Sequence, residues 1–146
     1  NSLQYSVGSL KTLWLSIVTT VVLFLSAGSF AEPKMLQANV TLHTLDELNQ
    51  LLLQAEQFVN TAQKPIPVVL HGEEIHAFVR SNYRTHKGLV DLAARLDAFN
   101  VIEVKACERW MGVNGISAKE LPPFIETVPA GLAERDRLQR SGYTYF

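Results

Sequence analysis

The chain holds a single cysteine, Cys107, so no internal disulfide can form. Its four histidines, His43, His71, His76 and His86, show neither H-E-x-x-H spacing nor a partner set of cysteines, so no metal site is expected. G-x-G-x-x-G, Walker and G-x-S-x-G patterns are all missing, which removes the support for nucleotide or serine-hydrolase chemistry. Lys and Arg number 13 against 14 acidic residues, scattered rather than clustered, so no field recruits nucleic acid. Low-complexity tracts and internal repeats are also missing. What remains is an ordinary globular composition, 47% apolar and 18% charged, over a length that suits one domain.

Charge is missing from one region in particular. The first 31 positions carry only Lys11, and every acidic residue lies at or after Glu32. Leu13 to Leu25 is an uncharged apolar run, followed by Ser26-Ala27-Gly28-Ser29-Phe30-Ala31. A cation, a short apolar stretch and small residues at Ser29 and Ala31 are the anatomy of a secretory signal peptide over residues 1–31, leaving 32–146 as the folded domain. Export to the periplasm or another oxidising compartment follows. The competing readings are a retained membrane anchor, for which the run falls short of the roughly 18 residues of a span, and a buried core helix, which its lack of caps fits poorly. Membrane contact is expected only through this segment, if it stays attached.

Beyond the leader, strand and helix alternate. Met35 to Leu42 reads as a first strand. Thr44-x-x-Glu47 is a capping box that opens a helix with Leu45, Leu48, Leu52, Ala55, Val59 and Ala62 on one stripe, ended by Lys64-Pro65. Ile66 to Leu70 is a short apolar run suited to a strand covered on both faces. Glu73 to Val79 reads as a short helix, Arg80 to Lys87 as a loop and Gly88 to Phe99 as a second long helix closed by Asn100. Val101 to Ala106 is a third strand with Cys107 directly after it. A capping box at Ser117-x-x-Glu120 is stopped by Pro122-Pro123; a strand over Phe124 to Val128, a helix over Gly131 to Arg140 and a strand over Tyr143 to Phe146 complete the chain. This order predicts a three-layer α/β/α fold with a mostly parallel five-stranded sheet.

The carboxyl ends of parallel strands emerge on one edge, where ligands of open α/β sheets bind. That edge is expected to gather His43, His71-Gly72, Cys107 and Pro129-Ala130-Gly131. Cys107 at the start of a helix is placed where unpaired backbone N–H groups favour a thiolate, with Arg109 or His71 as electrostatic helpers and Glu108 opposing them. The bland alternative is a cysteine packed as a small apolar residue. His71 reads first as a local hydrogen-bonding residue such as a turn cap and second as a ligand-orienting one, and Trp110, Met111 and Tyr143 as packing or subunit contacts.

Four segments, Ile66-Pro-Val-Val-Leu-His71-Gly72, Val101-Ile-Glu-Val-Lys-Ala-Cys107, Val128-Pro-Ala-Gly131 and Leu138-Gln139-x-x-Gly142-Tyr143, together resemble DsrE/DsrF-like proteins in type, order and spacing, from about Leu36 to Phe146. The resemblance implies a homo-oligomer and, as in the sulfur-relay branches of that family, a cysteine after the third strand that accepts sulfur as a persulfide and passes it on. Cys107 matches that cysteine, His71-Gly72 the strand-end turn, and Gly131 the small-residue turn before the last helix. Relay members are cytoplasmic whereas this chain reads as exported, so its sulfur donor and acceptor proteins would differ. Asp136 stands where the pattern implies an apolar residue, which predicts a solvated face on the last helix. The sequence thus gives two expectations. One is an exported, sulfurtransferase-like sulfur carrier that needs no cofactor, with Cys107 as nucleophile and His71, Gly72, Arg109 and Gly131 around it. The other is a non-catalytic oligomeric binding module with a small-ligand pocket at the same strand ends.

Overall fold

A computed structural model describes residues 32–41 and 44–146. The leader expected over 1–31 and His43 lie outside the described residues. Residues Pro33–Phe146 form one unit.

Among the described residues there are five strands, and each of their pairings is parallel. β2 (Ile66–Leu70), β3 (Ile102–Cys107) and β4 (Glu126–Val128) form a three-stranded ladder in which Val68 lies opposite Val104 and Cys107 opposite Val128. β1 (Leu36–Gln37) pairs with β5 (Thr144–Tyr145) in a separate two-stranded ladder. The expected five-stranded sheet is therefore divided. The two ladders meet where the Ala38 N–H donates to the Pro67 carbonyl at 3.0 Å. Pro67 has no N–H of its own to give β1, so this edge of β2 is one donor short.

Helices cover both faces. α1 (Leu45–Gln57) starts at Thr44, whose hydroxyl accepts from the Glu47 N–H, with Asp46 and Glu47 in the first turn where the dipole favours negative charge. It buries Leu48, Leu51, Leu52 and Ala55. α2 (Lys87–Ala98) buries Leu89, Val90, Ala93 and Leu96, and packs with α1 over the sheet face that carries Ile66, Val68, Ile102 and Val104. Asn100 closes α2 with φ 60°. On the opposite face, α4 (Gly131–Arg140) is joined to β3 by the ion pair between Lys105 Nζ and Glu134 at 3.0 Å. All five residues of β2 are buried, as a strand covered on both sides requires.

Several boundaries differ from the sequence reading. α1 stops at Gln57 rather than at Lys64-Pro65. The Phe58 carbonyl accepts from the Thr61 and Ala62 N–H groups, and Ala62 turns away to bridge with Lys34. The expected helix over Glu73–Val79 is a 3₁₀ helix, Glu73–Phe78, and the expected loop after it contains a second, Arg80–Asn82. Ser117 forms its capping box, closing on a 3₁₀ turn, Ala118–Glu120. The fourth strand is shortened to Glu126–Val128, because the Ile125 N–H is used by the Pro122 carbonyl. Asp136 is exposed, as expected. The inward stripe of α4 is Gly131, Arg135 and Leu138.

Candidate functional site

The carboxyl edge of β2, β3 and β4 collects the residues that the sequence pointed to. His71 follows β2 directly. Cys107 is the last residue of β3 rather than the first after it, and it is also the N-cap of α3 (Glu108–Val113). Gly131 opens α4 three residues after β4. His71, Cys107, Arg109 and Gly131 all line one pocket of about 310 Å³. Trp110, Val113 and Leu132 give it an apolar wall, and Val113 and Leu132 are 82% and 61% exposed at its mouth.

The backbone geometry here depends on Gly131. A methyl group on its Cα would stand 2.7 Å from the His71 Cβ and 3.0 Å from the Cys107 Cβ. Only a residue without a side chain lets α4 start this close to the ends of two strands. Ala130, the N-cap of α4, has no side-chain acceptor, so the first turn of that helix receives no side-chain cap.

Cys107 is only 6% exposed, so it is a recessed thiol facing a pocket rather than one standing free in solvent. α3 is only six residues long, and its Arg109 N–H already donates to the Pro129 carbonyl at 3.3 Å. The help that α3 gives a thiolate is therefore smaller than a long, open helix start would supply. Glu108, the opposing charge, is tied to the Thr127 hydroxyl at 2.8 Å. The Arg109 side chain is exposed and lines the pocket. Trp110 stacks edge-on against His76, ring centroids 5.1 Å apart, and Met111 is buried.

Gly72 does not line the pocket. Its N–H and that of His71 both donate to Glu74 Oε1, at 3.0 and 2.7 Å, so Glu74 holds the turn after β2. The His71 ring points Nε2 at the Val40 carbonyl, 2.6 Å away, and at Arg135 Nη1, 2.7 Å away.

Arg135 was not foreseen. It is 6% exposed, donates from Nη2 to Asn39 Oδ1 at 2.7 Å, and lies 4.9 Å from the Tyr145 ring centroid. Among the described residues no carboxylate pairs with it, and its Nε and the nearby Gln37 Oε1 are buried without a hydrogen bond. An arginine in a charged run (Ala-Glu-Arg-Asp-Arg) reads as solvated; the one available signal was its place four residues after Gly131 on the same helix face.

With this geometry established, comparison with known proteins adds a fold. A solved structure of a protein of unknown function from Methanobacterium thermoautotrophicum is similar, with a TM-score of 0.60 at 15% identity, over 71% of this chain and 89% of that one. At that identity the likeness concerns the fold alone. No protein-family model and no curated protein matches the chain. Among the described residues, no group of three or more His, Cys, Asp or Glu side chains could hold a metal ion, and no helix is long and apolar enough to cross a membrane.

Proposed function

We propose that this chain is a sulfur carrier in which Cys107 receives a sulfane sulfur and passes it on. The observation that supports the reading best is that Cys107, His71, Arg109 and Gly131 share one pocket at the carboxyl edge of the parallel strands. The resemblance of the strand-end segments to DsrE/DsrF-like proteins agrees with it. In the first step the Cys107 thiolate attacks the outer sulfur of a donor persulfide, R–S–SH. The new bond joins Cys107 Sγ to that sulfur, the old S–S bond breaks, and R–S⁻ leaves with the electron pair. An acceptor thiolate then attacks the terminal sulfur and restores the Cys107 thiolate. Two electrons move within each exchange and no oxidant or cofactor is consumed.

The recessed thiol narrows the donor. A pocket of about 310 Å³ admits a low-molecular-weight persulfide or a protruding cysteine loop, and it shields the thiol from larger disulfides. Such shielding suits an exported, oligomeric carrier working in an oxidising compartment, the setting that the leader-like segment over 1–31 suggests. The experiment is intact-mass measurement after incubation with glutathione persulfide. Because Cys107 is the sole thiol, wild type gains one sulfur atom and Cys107→Ser gains none. Identical spectra for the two proteins would reject the carrier.

One observation favours a second reading, a non-catalytic oligomeric module that binds a small ligand in the same pocket: Cys107 has only 6% of its surface exposed. That reading predicts a thiol inert to both persulfide and iodoacetamide until the chain is unfolded.

A further inference from the structure

His71 Nε2 stands between two groups that make opposite demands. The Val40 carbonyl, at 2.6 Å, can only accept a hydrogen bond, whereas Arg135 Nη1, at 2.7 Å, can only donate one. A neutral imidazole satisfies one of them. If the ring proton sits on Nε2, it bonds Val40 and confronts the guanidinium with a second donor. Arg135 Nη1 then keeps only the Val40 carbonyl at 3.5 Å, in a buried side chain whose Nε already lacks a partner. If the proton sits on Nδ1, Nε2 accepts from Arg135 and Val40 still receives the 3.5 Å contact from the same nitrogen. The guanidinium then bonds both acceptors, and its charge offsets the 2.6 Å approach of Nε2 to the Val40 carbonyl. A charge-assisted hydrogen bond is roughly twice as strong as a neutral one, and an unsatisfied buried cation costs more than a weakened carbonyl contact.

We infer that Arg135 is a positioning residue that fixes His71 in its Nδ1–H tautomer, so that the ring offers the Cys107 pocket a hydrogen-bond donor and not a base. Nδ1 is the free edge of the ring. Among the described residues it has no partner, and it is not one of their sealed polar atoms, which are Gln37 Oε1 and Arg135 Nε. Resting on the carrier reading above, this assigns His71 a role there. An N–H beside the thiol pocket orients an anionic sulfur species and does not deprotonate Cys107. Arg135 itself does not line the pocket; it acts through the ring.

The test is a long-range ¹H–¹⁵N correlation spectrum of the full ¹⁵N-labelled chain, at a pH where the ring is neutral. Wild-type His71 is expected to show a protonated, pyrrole-type Nδ1 and a bare, pyridine-type Nε2. Arg135→Met, which keeps the length of the side chain and removes its donors, moves the proton to Nε2, where it bonds Val40. Cys107→Ser leaves the proton on Nδ1, so the result holds even if sulfur carriage fails by mass. A wild-type ring protonated on Nε2 overturns the inference without any variant having to fold. So does a ring unchanged by Arg135→Met, or one whose proton moves in Cys107→Ser.

Discussion

Gly131 and His71 are in contact to the limit that backbone atoms allow: a β-carbon added at the glycine would lie 2.7 Å from that of the histidine. This spacing sets the depth of the pocket, because it brings the start of α4 down onto the ends of β2 and β3.

Gly131→Ala is therefore expected to overpack the strand ends and to destabilise the fold by about 1–3 kcal/mol. Gly112→Ala is the control. Its added methyl meets nothing within 4 Å, and a helical alanine gains roughly 0.5–1 kcal/mol over glycine. Urea unfolding of both variants, with equal m-values, should place them on opposite sides of wild type.

A second prediction concerns acid. The Arg137 guanidinium grips both oxygens of Glu134, at 2.6 and 2.9 Å, and with Lys105 holds its carboxyl down at about 2 against the upward pull of burial. The folded pKa lies below the unfolded one, so this stabilisation is complete above pH 4.5 and is lost as the pH falls from there towards 2. Linkage sets a ceiling of about 3 kcal/mol, which solvent screening reduces to about 1–2 kcal/mol. In Glu134→Gln the urea midpoint should start lower at pH 7, because Lys105 loses its partner, and should fall less between pH 4.5 and 2. Parallel acid limbs for the two proteins would contradict this.

A third concerns access. Leu132 stands at the pocket mouth, and Leu132→Trp should slow iodoacetamide labelling of Cys107 several-fold in the folded protein while leaving the rate in urea unchanged. Equal rates in the folded state would mean that reagent reaches the thiol by another route.

The fold was legible because its signals were local and repeated. The Thr44 N-cap, the apolar run at Ile66–Leu70, the inward alternation of Ile102, Val104 and Ala106, and Asn100 as a helix stop each follow from short-range chemistry. Three of the four residues expected around Cys107, namely His71, Arg109 and Gly131, share its pocket for the same reason: parallel strands deliver their following residues to one edge. Gly72 does not, because a turn of one residue is enough to point a backbone away. Strand lengths at the margin were overestimated. Extended, alternating residues such as Ala38 and Val40 are buried without regular ladder partners, and periodicity alone cannot separate the two cases. Arg135 was illegible for a deeper reason. Its burial is created by Asn39 and Val40, His71, and Tyr145, which come from three distant stretches of the chain, and no local pattern encodes that meeting.

The break between the two ladders has a mechanical consequence. The ribbon of β1 and β5 adjoins the main sheet where a proline cannot reciprocate, and that ribbon supplies the Gln37 and Tyr145 contacts to Arg135, with Asn39 and Val40 just beyond its end. Peeling the ribbon away would therefore release the guanidinium and, through it, the histidine at the thiol pocket. The groups that hold the histidine beside the thiol are thus borne by the first and last strands of the chain, not by the ladder that carries the cysteine.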